Sequence, residues 1–142
     1  MPYVITTLCT NDGACVEVCA VSCIHTTPGA SQFYIVDEAG APIAVGRMDQ
    51  ADPRTAELAF NKAYTAAAFH LATAVLVPQA RQPWLRSLVI SHRGHIMPVG
   101  GALTIINGVT LVGAIGVAGS SRPDQDVLSC RAAMAVWENY GH

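Results

Sequence analysis

The chain has 142 residues, 51% hydrophobic and 13% charged, with a net charge of −2, so it fits one domain with a sizeable core. Its eight Lys and Arg are spread thinly and form no basic stripe, and no run of about 18 apolar residues occurs; nucleic acid and membrane are excluded as expected partners. A mean hydropathy of +0.36 is high for a soluble monomer, and the excess apolar surface is expected to be buried between subunits of a homo-oligomer.

The first 35 residues carry Pro2-Tyr3-Val4-Ile5-Thr6, Cys9, Cys15-Val16-Glu17-Val18-Cys19-Ala20-Val21-Ser22-Cys23-Ile24-His25 and Gln32-Phe33-Tyr34-Ile35. This stretch resembles the first half of a bacterial ferredoxin of the seven-iron type. Thiolates are the normal ligands of iron–sulfur clusters, and Cys9, Cys15, Cys19 and Cys23 suffice in number for one. The family's second group of cysteines is missing, since only Cys130 follows Ile35, and Ala20 and Ser22 replace a proline and a common acid. In a helix, Cys15, Cys19 and Cys23 share one stripe, and such a stripe of small hydrophobes packs on a sheet. Packing is the expectation, and a metal cluster the alternative.

Ser31–Asp37 and Pro42–Arg47 flank the Gly-containing turn Glu38-Ala39-Gly40 and predict a hairpin. Asp52-Pro53 opens a helix in which Ala56, Ala59, Phe60, Ala63, Ala67 and Leu71 recur at three- and four-residue steps, giving a narrow face for close packing. On that helix Lys62 reads as a solvated charge and His70 as a surface or core residue. Pro78 and Pro83 break periodicity, so a loop with a short helix near Trp84 to Ser87 is expected, Trp84 covering a pocket or interface. Val89-Ile90-Ser91 and His95-Ile96-Met97 flank His92-Arg93-Gly94, and three strands are expected after the short helix, the last two joined at Asn107-Gly108, a dipeptide suited to a type I′ turn. In the run from Leu111 to Ala118 both faces are apolar or small, the mark of a central strand covered on both sides. A final helix from Pro123 to about Asn139 is expected to dock through Val127, Cys130, Met134 and Trp137.

From Tyr34 onward the chain resembles the haem-binding and haem-degrading family of HbpS, GlcG and the C-terminal domain of PduO. The residues that carry the likeness are Val36-Asp37-Glu38-Ala39-Gly40, Arg47-Met48-Asp49, Lys62-Ala63-Tyr64-Thr65-Ala66, Pro98-Val99-Gly100-Gly101, and Gly113-Ala114-Ile115-Gly116-Val117-Ala118-Gly119 with Gln125-Asp126. The resemblance implies a single α+β, profilin-like domain, an antiparallel sheet with helices on its faces, assembled into a homo-oligomer. The family's first helix is replaced here by the cysteine-bearing segment from about Asn11 to Ile24, the N-terminal stretch of residues 1–35 supplying that helix.

Three functions follow. Haem or another tetrapyrrole needs an apolar cleft and a ligand, for which His25, His70, His92 and His95 are candidates. A cofactor-free isomerase, tautomerase or hydrolase on a small carboxylate would use Arg47 for the anion and Lys62 or Asp126 for the proton. Gly100, Gly101, Ser120 and Ser121 would offer ligand-binding groups near a helix start. Each has a plainer role: the glycines in a tight turn, Asp126 against the helix dipole. The third is an iron–sulfur protein through Cys9, Cys15, Cys19 and Cys23. No secretory leader pattern is present in the first residues, so a cytoplasmic protein is expected.

Overall fold

The computed structural model describes residues 32–49 and 51–140. Strands β1 (Gln32–Asp37), β2 (Pro42–Arg47), β3 (Ala102–Asn107) and β4 (Thr110–Ala118) form one sheet in the order β2-β1-β4-β3, with every neighbouring pair antiparallel. Between the hairpins run α1 (Arg54–Phe69), α2 (Thr73–Leu76), a 3-10 turn (Val77–Gln79) and α3 (Pro83–Ser91); α4 (Pro123–Tyr140) follows β4. This is the α+β domain expected. Residues 1–31 of the ferredoxin-like stretch, with the proposed helix and with Cys9, Cys15, Cys19, Cys23 and His25, lie outside the described residues, and its last residues, Gln32–Ile35, enter β1.

Local chemistry explains the element ends. The Asp37 carboxylate accepts the N–H groups of Ala39 at 2.9 Å and Ala41 at 2.8 Å, closing the first turn. Gly40 completes it at φ 84°, where a Cβ would strike the Tyr64 ring. Asp52 accepts the Arg54 N–H at 2.9 Å and its carbonyl accepts Thr55 Oγ1 at 2.6 Å, so α1 opens at the expected Asp52-Pro53. His70 ends α1 in the left-handed region, its N–H directed to the carbonyls of Ala66 and Ala67.

β4 is the central strand, and its two faces serve two helices. Ala114 joins Val36, Ala63, Ala66, Ala67 and Ala102 in a core beneath α1. Ile115 and Val117 pack with Ile105 and Cys130 of α4 on the other side. A third small core, Leu76, Leu85 and Ile96, lies under α2 and α3. Small side chains bring α1 close enough that a Cβ on Gly116 would stand 2.4 Å from the Ala59 carbonyl oxygen and 2.6 Å from the Ala63 nitrogen.

Three expectations change. Of the three strands predicted after the central helices only two form, because Val89–Ser91 finish α3 and His95–Met97 satisfy their backbone elsewhere. Thr65 Oγ1 takes the Met97 N–H at 2.7 Å, and Thr73 Oγ1 takes the Ala102 N–H at 3.0 Å, so side chains of α1 and α2 substitute for a ladder. The hairpin turn is not type I′: only Gly108 of the Asn107-Gly108 pair has positive φ, at 63°, and Asn107 pairs with Thr110, leaving Gly108-Val109 as the two-residue loop. Glycine at the first loop position is the pattern of a type II′ turn. Trp84 covers Phe69, with ring centroids 6.3 Å apart. Trp137 remains 41% exposed, so the docking face of α4 is carried by Cys130 and Met134.

The closeness of α1 to β4 gives a direct test. Gly116→Ala is expected to lower unfolding free energy by about 3 kcal/mol in urea denaturation, because the helix must move off the sheet. A loss below about 1 kcal/mol would show that α1 shifts freely.

Candidate functional site

Lys62 occupies the small-residue stripe of α1, between Ala59, Ala63 and Ala66, and is 4% exposed. The expectation of a solvated lysine is therefore reversed, since that stripe is the face laid on the sheet. Its Nζ donates to Asp126 Oδ2 at 2.7 Å and to the Val117 carbonyl at 3.1 Å. The other carboxylate oxygen of Asp126 accepts the Ser120 N–H at 3.2 Å. The Ser120 hydroxyl stands 2.6 Å from that same oxygen and 2.6 Å from the Arg122 carbonyl, with one proton between them. Gly101, at φ 124°, closes the site: a Cβ there would lie 2.8 Å from Lys62 Nζ and 2.9 Å from the Val117 carbonyl oxygen.

Cys130 flanks the pair, its Sγ 3.3 Å from the Gly101 carbonyl. Burial, reinforced by the Asp126 charge, pushes its thiol pKa up to about 12, so it is a neutral packing group and no nucleophile. The arrangement binds α1, β4, the Gly101 turn and α4 together. Both charges are shielded, each side chain 5% exposed, and mutually satisfied, which suits a fastener better than a proton relay to a diffusing substrate.

Of the other sequence candidates, the fold brings Gly101 and Ser120 to this pair and leaves Arg47, Ser121 and His70 apart. Arg47 is exposed at the end of β2; it pairs with Gln32, which pairs with Ala118 of β4, putting it two strand spacings away, about 10 Å. Ser121 is exposed before α4, and His70 is exposed at the end of α1. Gly100 is buried in the wall of an open groove of about 600 Å³ between the Pro98–Gly100 turn and the start of α4.

A second groove, about 270 Å³, is bounded by Phe60 and Tyr64 of α1 and by Ser91, His92, Arg93 and His95. His95 Nδ1 lies 3.1 Å from Asn61 Oδ1, and His92 Nδ1 lies 3.1 Å from the Leu88 carbonyl. The Leu88 carbonyl accepts, and so does Asn61 Oδ1, so both contacts suit an Nδ1 that donates and leave Nε2 as the nitrogen facing a ligand. The His95 ring sits 6.2 Å from Phe60 and 6.1 Å from Tyr64. Among the described residues no three His, Cys, Asp or Glu side chains converge as a metal site, and no helix is long and apolar enough to cross a membrane. Asn61 and the threonines that hold the 95–102 segment were not singled out from the sequence, because their partners lie about thirty residues away with no local periodicity to announce them.

An antiparallel sheet held between α1 and α4 by a buried ion pair, with two open grooves beside it, defines a profilin-like α+β domain. Residues 24–135 match the family described as haem degrading protein HbpS-like, and the chain belongs to that family. An uncharacterized 15.0 kDa protein from the dhaT-dhaS intergenic region of Citrobacter freundii is 33% identical over 104 residues, 72% of each chain. Among solved structures, the complex of PduOC with heme superposes with a TM-score of 0.70 at 30% identity, over 76% of this chain and 78% of that one. Protein ORFY of Klebsiella pneumoniae gives 0.71 at 29% identity, over 78% and 77%. HbpS itself gives 0.66 at 26% identity, over 80% and 75%. A probable ferredoxin/ferredoxin–NADP reductase of Mycobacterium leprae is 58% identical over only 33 residues, 23% of this chain and 6% of that protein.

Breaking the pair from one side leaves a buried charge unmatched. Lys62→Met is expected to cost about 3–5 kcal/mol in urea denaturation, and the double variant Lys62→Met with Asp126→Leu to recover most of that loss. If the double variant is no more stable than the single one, the cost lies in lost packing and not in the orphaned carboxylate.

Proposed function

We propose that the protein binds haem or a related tetrapyrrole in the groove of Phe60, Tyr64, His92 and His95, with His95 as the residue that would hold the iron. The observation that carries this reading is the His95 imidazole, whose Nδ1 is engaged by Asn61 and whose Nε2 is left to coordinate beside two aromatic rings. A ligating histidine ordinarily has its second nitrogen held in this way. Arg93, exposed in the same wall, supplies a cation suited to a propionate. The donor set therefore fits the group, and bound haem would supply a redox-active iron.

The chain's own residues would do the positioning: Asn61 holds Nδ1 of His95, Phe60 and Tyr64 flank the ring, and Arg93 would orient the acidic edge. The groove is open and holds about 270 Å³, so it does not enclose a macrocycle, and a second subunit of the expected homo-oligomer would provide the remaining cover. The heme complex of PduOC supports the ligand class. A cofactor-free enzyme would need Lys62 or Asp126 to exchange protons with substrate, and their burial gives that alternative no support. The ferredoxin-like N-terminal segment is proposed to serve as a packing element.

On adding haem to purified protein a Soret band should appear, and His95→Ala should weaken binding at least about tenfold while His92→Ala changes it less than about threefold. Unchanged binding in His95→Ala would overturn the assignment. For the cysteines, anaerobically purified protein should contain neither non-haem iron nor acid-labile sulfide in amounts matching the chain; stoichiometric non-haem iron and sulfide would restore the cluster reading.

A further inference from the structure

We propose that the open groove between the Pro98–Gly100 turn and the start of α4 binds an amphipathic monocarboxylate, its apolar chain lying on Val77, Val99, Val127 and Leu128 and its carboxylate paired with Arg131. The site is separate from the histidine groove, shares no lining residue with it, and stands whether or not haem binds there.

Three observations converge on it. The groove holds about 600 Å³, within the range of small-molecule sites, and its walls are mainly apolar. Val77 is 48% exposed, Val99 38% and Leu128 61%, apolar side chains that water covers unless something else does. The charge at the mouth is unbalanced. Asp124 is tied to Arg122 in an ion pair, whereas Arg131 is exposed and makes no ion pair among the described residues. Arg131 follows Val127 and Leu128 by four and three positions, so the guanidinium rises from the helix face that forms the apolar wall. An apolar floor ending at one unpaired guanidinium fits a chain bearing a single carboxylate, which a guanidinium can hold through two parallel hydrogen bonds. No histidine or thiol lines the groove, so its ligand need not carry a metal.

Octanoate is a suitable probe, with 1-octanol and octylammonium as neutral and cationic counterparts. In 15N-resolved NMR titrations octanoate should shift the amides of Val99, Gly100, Val127 and Arg131, and bind at least about tenfold more tightly than either counterpart. Arg131→Gln should weaken octanoate about tenfold and leave 1-octanol unchanged. Val77→Trp, which fills the groove from an exposed position without touching the core, should abolish binding of both. Equal affinity for octanoate and 1-octanol overturns the proposal. So do shifts confined to the His95 groove, and failure of octanoate to bind, including failure because a second copy of the chain covers the groove in solution.

Discussion

The 2.7 Å contact between Lys62 and Asp126 spans 64 residues and joins the first long helix to the last across the end of β4. Two charges withdrawn from water gain little over an apolar pair of the same size, but neither can be left alone there. The pair therefore acts on registry. Lys62 fixes the rotation of α1 about its axis, Asp126 fixes where α4 begins, and the Val117 carbonyl fixes both against the central strand. Ser120 and Gly101 complete the clasp from the two turns, one by hydrogen bonding and the other by having no side chain.

That rotation has consequences elsewhere on α1. With Lys62 turned inward, its neighbour Asn61 reaches His95, and Thr65, one turn further along, reaches Met97. The irregular segment after α3 is thus positioned by the same helix whose other residues hold the core. Phe60 and Tyr64 flank His95 from that helix as well. The histidine groove is a product of helix registry more than of its own loop.

The elements with local signals were legible in the sequence. A run apolar or small on both faces marked β4 as central, Asp52-Pro53 marked the start of α1, and the apolar stripe of α1 marked its buried face. That stripe also held the clue to Lys62, which shares it with Ala59, Ala63 and Ala66; the general habit of lysines at surfaces outweighed the position. The region from Thr73 to Met97 was harder to read. Its order rests on Thr65 and Thr73 bonding backbone about thirty residues away, and no periodicity records such contacts. Asn107-Gly108 marked the hairpin but not its turn type, because the two-residue loop falls one position later, at Gly108-Val109, and only Gly108 takes a positive φ. For the candidate site, Lys62 and Asp126 were identified as residues, while their mutual contact and its closure to solvent required the fold.

The strand order β2-β1-β4-β3 also imposes a sequence of events on the chain. Both hairpins are local, but the seam between β1 and β4 pairs Val36 with Ala114, residues 114 − 36 = 78 apart. Such a seam cannot close until most of the polypeptide is available, and pairings of that separation slow folding. During synthesis the β1–β2 hairpin and α1 would wait with their apolar faces uncovered until β4 emerges. The centre of the finished sheet is thus among the last parts to be made, and the ion pair that locks it comes later still.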